Sequence, residues 1–340
     1  MCIRDSNNPD QSYNELNAFL QLFLVLKKWN LLVGGAYVYR NNTAFSERIS
    51  SFNPRLAFLY KSSSNLSFRA SYSTAFKIPG PYFRETSYTI QENNFETILT
   101  GINPIVSERT LSFELGLRWL PSPKVELDMA GFYSRTLDFL TYDILPNPNF
   151  RERTLTAGYF NDDNTTATLW GIQSTLWLKD LIPAIGMDAR LNINWSRGKE
   201  SLFPIADQGG NGGILLKETD ALRAFPDLIA QAQLSFHPFS DFTVVLDNVL
   251  MSNSKTRNTI LIREAIREGL DVSTLRTEGY YTLDITTNYR LNRNFRIYAR
   301  LNNVFNKGYA GIDANGSPDI LDYNPQSLFT FRFGVNYNLN

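Results

Sequence analysis

The chain has 340 residues with 33 basic and 33 acidic side chains, so it lacks the cationic excess that would mark a nucleic-acid binder. Its single cysteine, Cys2, and single histidine, His237, exclude a disulfide framework and a multi-histidine zinc site, and leave one base for any Ser-His-Asp triad. Aromatics are plentiful (24 Phe, 17 Tyr, 5 Trp), yet no run approaches the ~18 apolar residues of a membrane helix.

The first six residues, "MCIRDS", resemble nothing after them. They lack the basic start and apolar run of a signal peptide. Back-translated, they resemble a transposon end used to prepare DNA for sequencing. Residues 1–6 are therefore read as a scar and 7–340 as the folded portion. On this reading the chain begins where a sequencing read begins.

From Gln11 onward the apolar pattern has period two, the signature of strands with one apolar and one polar face. The first greasy run is "FLQLFLVL", Phe19 to Leu26, interrupted by Gln21. In "NLSFRASY", Leu66, Phe68, Ala70 and Tyr72 oppose Ser67, Arg69 and Ser71. "TLSFELGLRW" sets Leu111, Phe113, Leu115, Leu117 and Trp119 against Ser112, Glu114, Gly116 and Arg118. "MDARLNINW" opposes Met187, Ala189, Leu191, Ile193 and Trp195 to Asp188, Arg190, Asn192 and Asn194. "YTLDITTNYRL" and "FRIYAR" continue the alternation, and "LNNVFNKGYAG" leads through a loop to the final "LFTFRFGVNYNLN".

About thirteen such strands are predicted. Short connections ("KKWN", "KSSSN", "PSPK", "KDLIPAIG", "HPFSD", "LNRN") alternate with long ones near 41–51, 76–107, 138–165, 199–224, 252–278 and 308–326. That rhythm predicts an antiparallel up-and-down sheet with every tight turn on one rim. Two features favour a transmembrane barrel over a soluble sandwich or propeller. Several strands reach the roughly 9–11 residues that a tilted membrane strand needs. Aromatics also gather at strand ends: Tyr60, Trp119, Phe236 and Tyr289 before short turns, Tyr72, Tyr133 and Trp195 toward the other rim. Trp177 departs, having the opposite parity to Leu176 and Leu178. Arg55, Arg69, Arg118, Glu126, Asp128, Asp188, Arg190, Arg296, Arg300 and Arg332 all take the polar parity. A lipid-facing Arg near the midplane would cost about 2–4 kcal/mol, so this sorting is under physical pressure.

Four stretches carry a family resemblance: "ASYSTAFKIPGPYFRETS" (70–87), "NPIVSERTLSFELGLRW" (103–119), "GYYTLDITTNYRLNRNFRIYARLNNVFNKGYAG" (279–311) and the last strand. In this order they resemble the barrel of TonB-dependent outer-membrane transporters, which import iron chelates, cobalamin or saccharides. The last strand is similar to the family's barrel-assembly signal, on Arg332, Gly334, Tyr337 and Leu339, although the chain ends on Asn340 rather than an aromatic. The resemblance implies the outer membrane of a Gram-negative bacterium, with short turns toward the periplasm. It implies as partners outer-membrane lipid, the barrel-assembly machinery, a small-molecule ligand and a TonB energy-coupling complex acting through an N-terminal plug. It also implies an incomplete barrel without a plug, about 13 of about 22 strands. With an odd number of strands the sheet should stay open, its edges near Leu16–Leu26 and at "LFTFRFGVNYNL". A passive porin-like channel and a barrel enzyme are the alternative functions.

The ligand-binding candidates are Tyr82, Phe83, Arg84 and Glu85, in the loop after "ASYSTAFK". Asp162, Asp163 and Asn164 offer calcium-type oxygens but read better as a hydrated loop end. "DANGSPD" (313–319) lacks the acidic residue that would close a calcium loop, and "DQGGNGG" (207–213) lacks the Lys-Ser/Thr of a phosphate loop. "LIREAIREGL" (261–270) reads as a short loop helix, and His237, before Pro238, as a tight-turn residue. No metal site or cofactor is indicated.

Overall fold

The computed structural model describes residues 2–4, 13–42, 47–78, 88–92, 95–99, 106–145, 154–160, 165–202, 217–218, 222–223, 225–255, 276–309 and 326–338. Thirteen strands form one sheet: β1 (Tyr13–Val25), β2 (Trp29–Asn42), β3 (Glu47–Lys61), β4 (Leu66–Lys77), β5 (Glu108–Ser122), β6 (Val125–Leu137), β7 (Thr166–Ile182), β8 (Met187–Leu202), β9 (Leu228–Phe239), β10 (Phe242–Met251), β11 (Tyr280–Arg290), β12 (Phe295–Asn302) and β13 (Thr330–Tyr337). Each pairs antiparallel with the next, in chain order. Strands β1 and β13 are the two edges, as expected, and the odd count makes them run in the same direction. The strands are 8 to 17 residues long, well beyond the roughly 5–6 usual in soluble sheets.

Burial is inverted relative to a soluble protein. Among the described residues the buried apolar side chains are few, Ala130, Ala167, Met251 and Pro226, while Glu200, Ser196 and Thr165 are fully enclosed. Large apolar side chains stand exposed, Leu115 at 69% and Phe19 at 86%. Among the described residues nothing covers the hydrophobic face of this large sheet, which is what a lipid-facing wall requires. At the edge, β1 carries apolar groups on both faces. Leu16, Leu20, Leu22 and Leu24 share the apolar face, and Phe19 and Phe23 take the parity of Glu15, Asn17 and Gln21.

The aromatic rims follow the registers. At the short-turn end of the apolar face, Trp29 stacks on Tyr60 at 4.2 Å and lies 4.8 Å from Phe58. Phe295 meets Tyr337 at 4.5 Å, and Phe242 meets Tyr289 edge-on at 6.3 Å. Trp177 pairs with Glu126 and Arg190 on the polar face, and the Lys179 ammonium caps its ring at 4.3 Å. Its odd parity is therefore real.

The connections depart from expectation in two places. The segment read as a long loop near 41–51 is mostly strand: Asn42 pairs with Glu47, leaving only 43–46 between β2 and β3. Polar residues continue these strands beyond the apolar band, and polarity had suggested a loop. The regions 76–107 and 138–165 contain short strands that join in a separate five-stranded sheet, ordered Cys2–Arg4, Tyr88–Glu92, Phe95–Leu99, Thr154–Phe160, Thr141–Leu145. The pair formed by Thr154–Phe160 and Phe95–Leu99 is parallel. Cys2–Arg4 lies in the segment read as a scar, yet it pairs with Thr89 to Gln91.

Candidate functional site: the polar wall and its rims

The polar face is organised around a guanidinium that spans a strand. Arg69 on β4 is paired with Gly116 on β5, and Gly116 with Ala130 on β6. A Cβ at Gly116 would lie 2.7 Å from the Arg69 Cζ. Because that Cβ is missing, Arg69 crosses β5 and donates two bonds to Asp128 on β6, at 2.8 and 3.0 Å. Its Nε donates to Glu114 at 2.9 Å. A planar fork gripping one carboxylate is the strong form of such a pair, although the groups remain about a third exposed, so screening limits its worth. Arg118 donates to Glu126 at 2.8 Å and Arg300 to Asp284 at 3.2 Å.

Beside this cluster the wall turns neutral. A recess of about 360 Å³ is lined by Asp128, Gln173, Thr175, Asn192, Asn194 and Gln231, with Ser174, Ile193 and Ile229. Thr175 donates to Asn192 at 2.9 Å, and further round Gln233 donates to Asp247 at 2.7 Å. Amides and hydroxyls donate and accept alike, so this surface can exchange hydrogen bonds with a polar solute without fixing one sign of charge.

The long-loop end of the same face is closed in by side chains. Glu200 on β8 is fully buried and accepts from both the Arg223 Nε and its backbone N–H, the latter at 3.2 Å. Leu222 packs over Gly198, where an added Cβ would meet it at 3.0 Å. The limb leading into β9 is thereby drawn against the polar face of β8. On β5, Glu108 is buried, pairs with Lys77 at 3.0 Å and accepts from the Leu140 N–H at 3.0 Å.

The described part of the "LNNVFNKGYAG" stretch, 301–309, is a hydrogen-bonded knot around the buried Asn303. Asn303 has φ of 49°, in the left-handed region where Asn is among the few tolerated residues. Its amide donates to the carbonyls of Lys307 at 2.8 Å and Ser327 at 3.2 Å, its oxygen accepts from the Lys307 N–H at 3.0 Å, and its own N–H donates to Asp284 at 2.8 Å. Asn306, at φ 50°, accepts from the Phe329 N–H at 3.0 Å. The motif thus ties the turn after β12 to β11 and to the start of β13. Tyr309 lies against Tyr280 at 4.2 Å, and burial, then Tyr280 and Asp284, push its phenol above the usual range.

At the short-turn end, Arg290 donates to Asp241 at 2.8 Å, which holds that exposed carboxyl below its usual range. His237 sits on this rim, its Nδ1 3.1 Å from the Thr243 Oγ1 and its N–H bonded to the Gly186 carbonyl at 3.1 Å. Gly186, at φ 53°, ends the 3-10 turn Pro183–Ile185 between β7 and β8.

Of the sequence-based candidates, Arg332, Gly334 and Tyr337 lie on β13. Gly334 pairs with Tyr298, whose ring an added Cβ would strike at 2.4 Å, so the glycine makes room for the ring. Leu339, Tyr82, Phe83, Arg84, Glu85, Asp162, Asp163, Asn164 and the stretches 207–213, 261–270 and 313–319 lie outside the described residues. Sequence reasoning missed Gly116 and the Glu200–Arg223 pair. A glycine inside a polar-parity row was a readable signal for the first, and the second, 23 residues apart across a loop, had none. No group of three His, Cys, Asp or Glu among the described residues could hold a metal.

Comparisons with known proteins place this architecture. Over residues 3–304 the chain matches the family "TonB dependent receptor-like, beta-barrel". No curated protein matches it. Among solved structures it is similar to the copper transporter OprC (14% identity, TM-score 0.66, 96% of this chain and 48% of that one). It is also similar to the ferric enterobactin receptor PfeA of Pseudomonas aeruginosa (14%, 0.66, 97% and 46%) and to the FrpB iron transporter of Neisseria meningitidis (14%, 0.64, 96% and 45%). At that identity the likeness is one of fold, and the chain spans about half the length of each structure. With the match covering most of its length, the chain belongs to the TonB-dependent receptor-like β-barrel family.

Proposed function

We propose that this chain is barrel wall of an outer-membrane receptor that imports a scarce ligand by energy-coupled transport. The observation that carries the reading is the inverted wall: apolar side chains exposed along thirteen strands, and cross-strand ion pairs and amides on the opposite face. In lipid only a sheet whose backbone is paired, with its apolar face outward, can span. The polar face then lines the lumen, and the long connections, including Tyr82, Phe83, Arg84 and Glu85, supply ligand contacts outside. The ligand classes are an iron chelate, cobalamin or a saccharide. That the similar structures include a copper transporter, a ferric enterobactin receptor and an iron transporter favours a metal chelate such as a siderophore. The lumen is closed by a plug domain, and a periplasmic TonB-type partner supplies the energy. The barrel-assembly machinery reads the end of the chain at Arg332, Gly334, Tyr337 and Leu339.

The test is uptake by intact Gram-negative cells expressing the full-length protein. A panel of radiolabelled ferric siderophores, cobalamin and oligosaccharides is offered with and without a protonophore. Saturable uptake of one class, abolished by gene deletion and by the protonophore, supports the reading. Uptake that is non-saturable and indifferent to the protonophore identifies a passive channel instead.

A further inference from the structure

On the polar face several cations, Arg69, Arg118 and Arg300 among them, are ion-paired across strands, whereas a second set of cations has the parity of the apolar side chains. Arg109 on β5, Arg135 on β6, and Arg197 and Lys199 on β8 are all exposed. The registers across β5 to β8 fix their neighbours. One row reads Leu111, Arg135, Thr168, Lys199. The next row toward the strand middles reads Phe113, Tyr133, Trp170, Arg197, and the one beyond it Leu115, Gly131, Ile172, Trp195. Arg109 stands one row nearer the long loops, beside Leu137. The cations therefore form a compact group, three strand spacings wide or roughly 15 Å, with Arg197 ending an aromatic row and the other three just above that row and the apolar band.

Two further observations make this a site rather than general decoration. Every carboxylate of β5, β6 and β8 (Glu108, Glu114, Glu126, Asp128, Asp188, Glu200) has the opposite parity, so none shares the face. Strands β9 to β13 put no Lys or Arg on this face at all, and β1 to β4 put only Arg48, next to the first residue of β3, so the group of four belongs to one sector of the wall. Two of the guanidiniums also lie over aromatic rings, Arg109 over Phe76 at 6.0 Å and Arg197 over Trp195 at 5.9 Å. Among the described residues Arg109, Arg135 and Arg197 have no carboxylate partner.

We propose that Arg109, Arg135, Arg197 and Lys199 bind the phosphate-bearing headgroup of a lipid in the leaflet on the long-loop side. The inference rests on the membrane reading of the preceding section. Near the interface a cation on the lipid face costs little. Guanidiniums match phosphate oxygens in geometry as well as charge. The aromatic row beneath suits the boundary between headgroup and acyl chain, and the apolar band below it continues into the acyl region.

Native mass spectrometry of the full-length protein in detergent, titrated with bis-phosphorylated lipid A, its monophosphoryl form and a fully dephosphorylated form, tests the assignment. The prediction is retention in that order. Retention of the bis-phosphorylated form should fall at least about tenfold in the R109Q/R135Q/R197Q/K199Q variant, a modest demand on four surface cations. R290Q, on the opposite rim, should retain lipid as wild type does, and R135K should retain most of it. Single R135Q and R197Q variants, each with a partial loss, serve if the quadruple variant fails to fold. Equal retention of phosphorylated and dephosphorylated lipid, or wild-type retention by the substituted proteins, overturns the headgroup site alone. Loss of heat-modifiable mobility and membrane fractionation in the wild type overturns the membrane reading beneath it.

Discussion

Strands β5 to β8 and strands β9 to β13 form one sheet yet solve different problems. The first group runs 13 to 17 residues per strand and the second 8 to 12. About 9–11 residues suffice to cross an apolar band. The second group is close to that limit and is nearly uncharged on its apolar face. The first overshoots at the long-loop end, and the overshoot is where Arg109, Arg135, Arg197 and Lys199 break the parity rule. Strict sorting of charge therefore marks the depth of the apolar band. Where sorting lapses, the strand has left it.

The comparison breaks most severely in the second group, where little excess strand cushions a defect. Gly334→Asp, which would drive a carboxylate into the Tyr298 ring, and Tyr337→Asp, which would place one on the apolar face against Phe295, should each abolish assembly of the full-length protein. A normal heat-modifiable band in outer-membrane fractions of either variant would contradict this account of β13.

In the first group the expected losses are smaller, because charges there are shared. Gly116→Ala should cost about 1–3 kcal/mol by crowding Arg69 and the Met129 carbonyl, as overpacking does. Asp128→Asn should cost about 1 kcal/mol, since Glu114 still accepts from Arg69. Denaturant unfolding in detergent resolves these, and an Asp128→Asn loss larger than that of Gly116→Ala would reverse the assignment. Asn303→Ala, at the knot joining β11, β12 and β13, should cost about 1–3 kcal/mol, because three side-chain hydrogen bonds are lost and alanine tolerates the left-handed conformation poorly. Asn303→Gly should recover part of it. Equal loss in both variants would leave the backbone conformation without a role.

The smallest effect belongs to the exposed Asp241–Arg290 pair. Hydrogen bonding to Arg290 lowers the Asp241 pKa in the folded chain. Its stabilisation is therefore present above the ordinary carboxylate pKa and is lost as pH falls through the lowered value. Asp241→Asn should remove that small contribution at neutral pH, so that stability falls less steeply toward acid, and leave stability below the lowered value unchanged. A profile identical to wild type at every pH would show that solvent screens the pair completely.

Period-two alternation made the thirteen strands, both edges and the aromatic rims legible, because a single residue's slip would have reversed every face. It failed where alternation carries no information. Beyond the apolar band β2 and β3 continue through Asn41, Asn42 and Arg48, whose polarity read as a loop. The accessory strands, five to seven residues long in the two long connections, were too short to stand out. The Arg69–Gly116–Asp128 bridge depends on which strands are neighbours, and only the sheet order reveals that β4 reaches β6 across a missing side chain.

The central claim is that the apolar face meets lipid and the polar face lines the lumen. In the full-length protein reconstituted into vesicles, a fluorophore attached at Leu115→Cys should be quenched by brominated acyl chains and protected from a water-soluble quencher. One attached at Thr175→Cys, in the amide-lined recess, should show the opposite pattern. Equal quenching at the two sites, or lipid quenching at Thr175 with aqueous quenching at Leu115, would contradict the account.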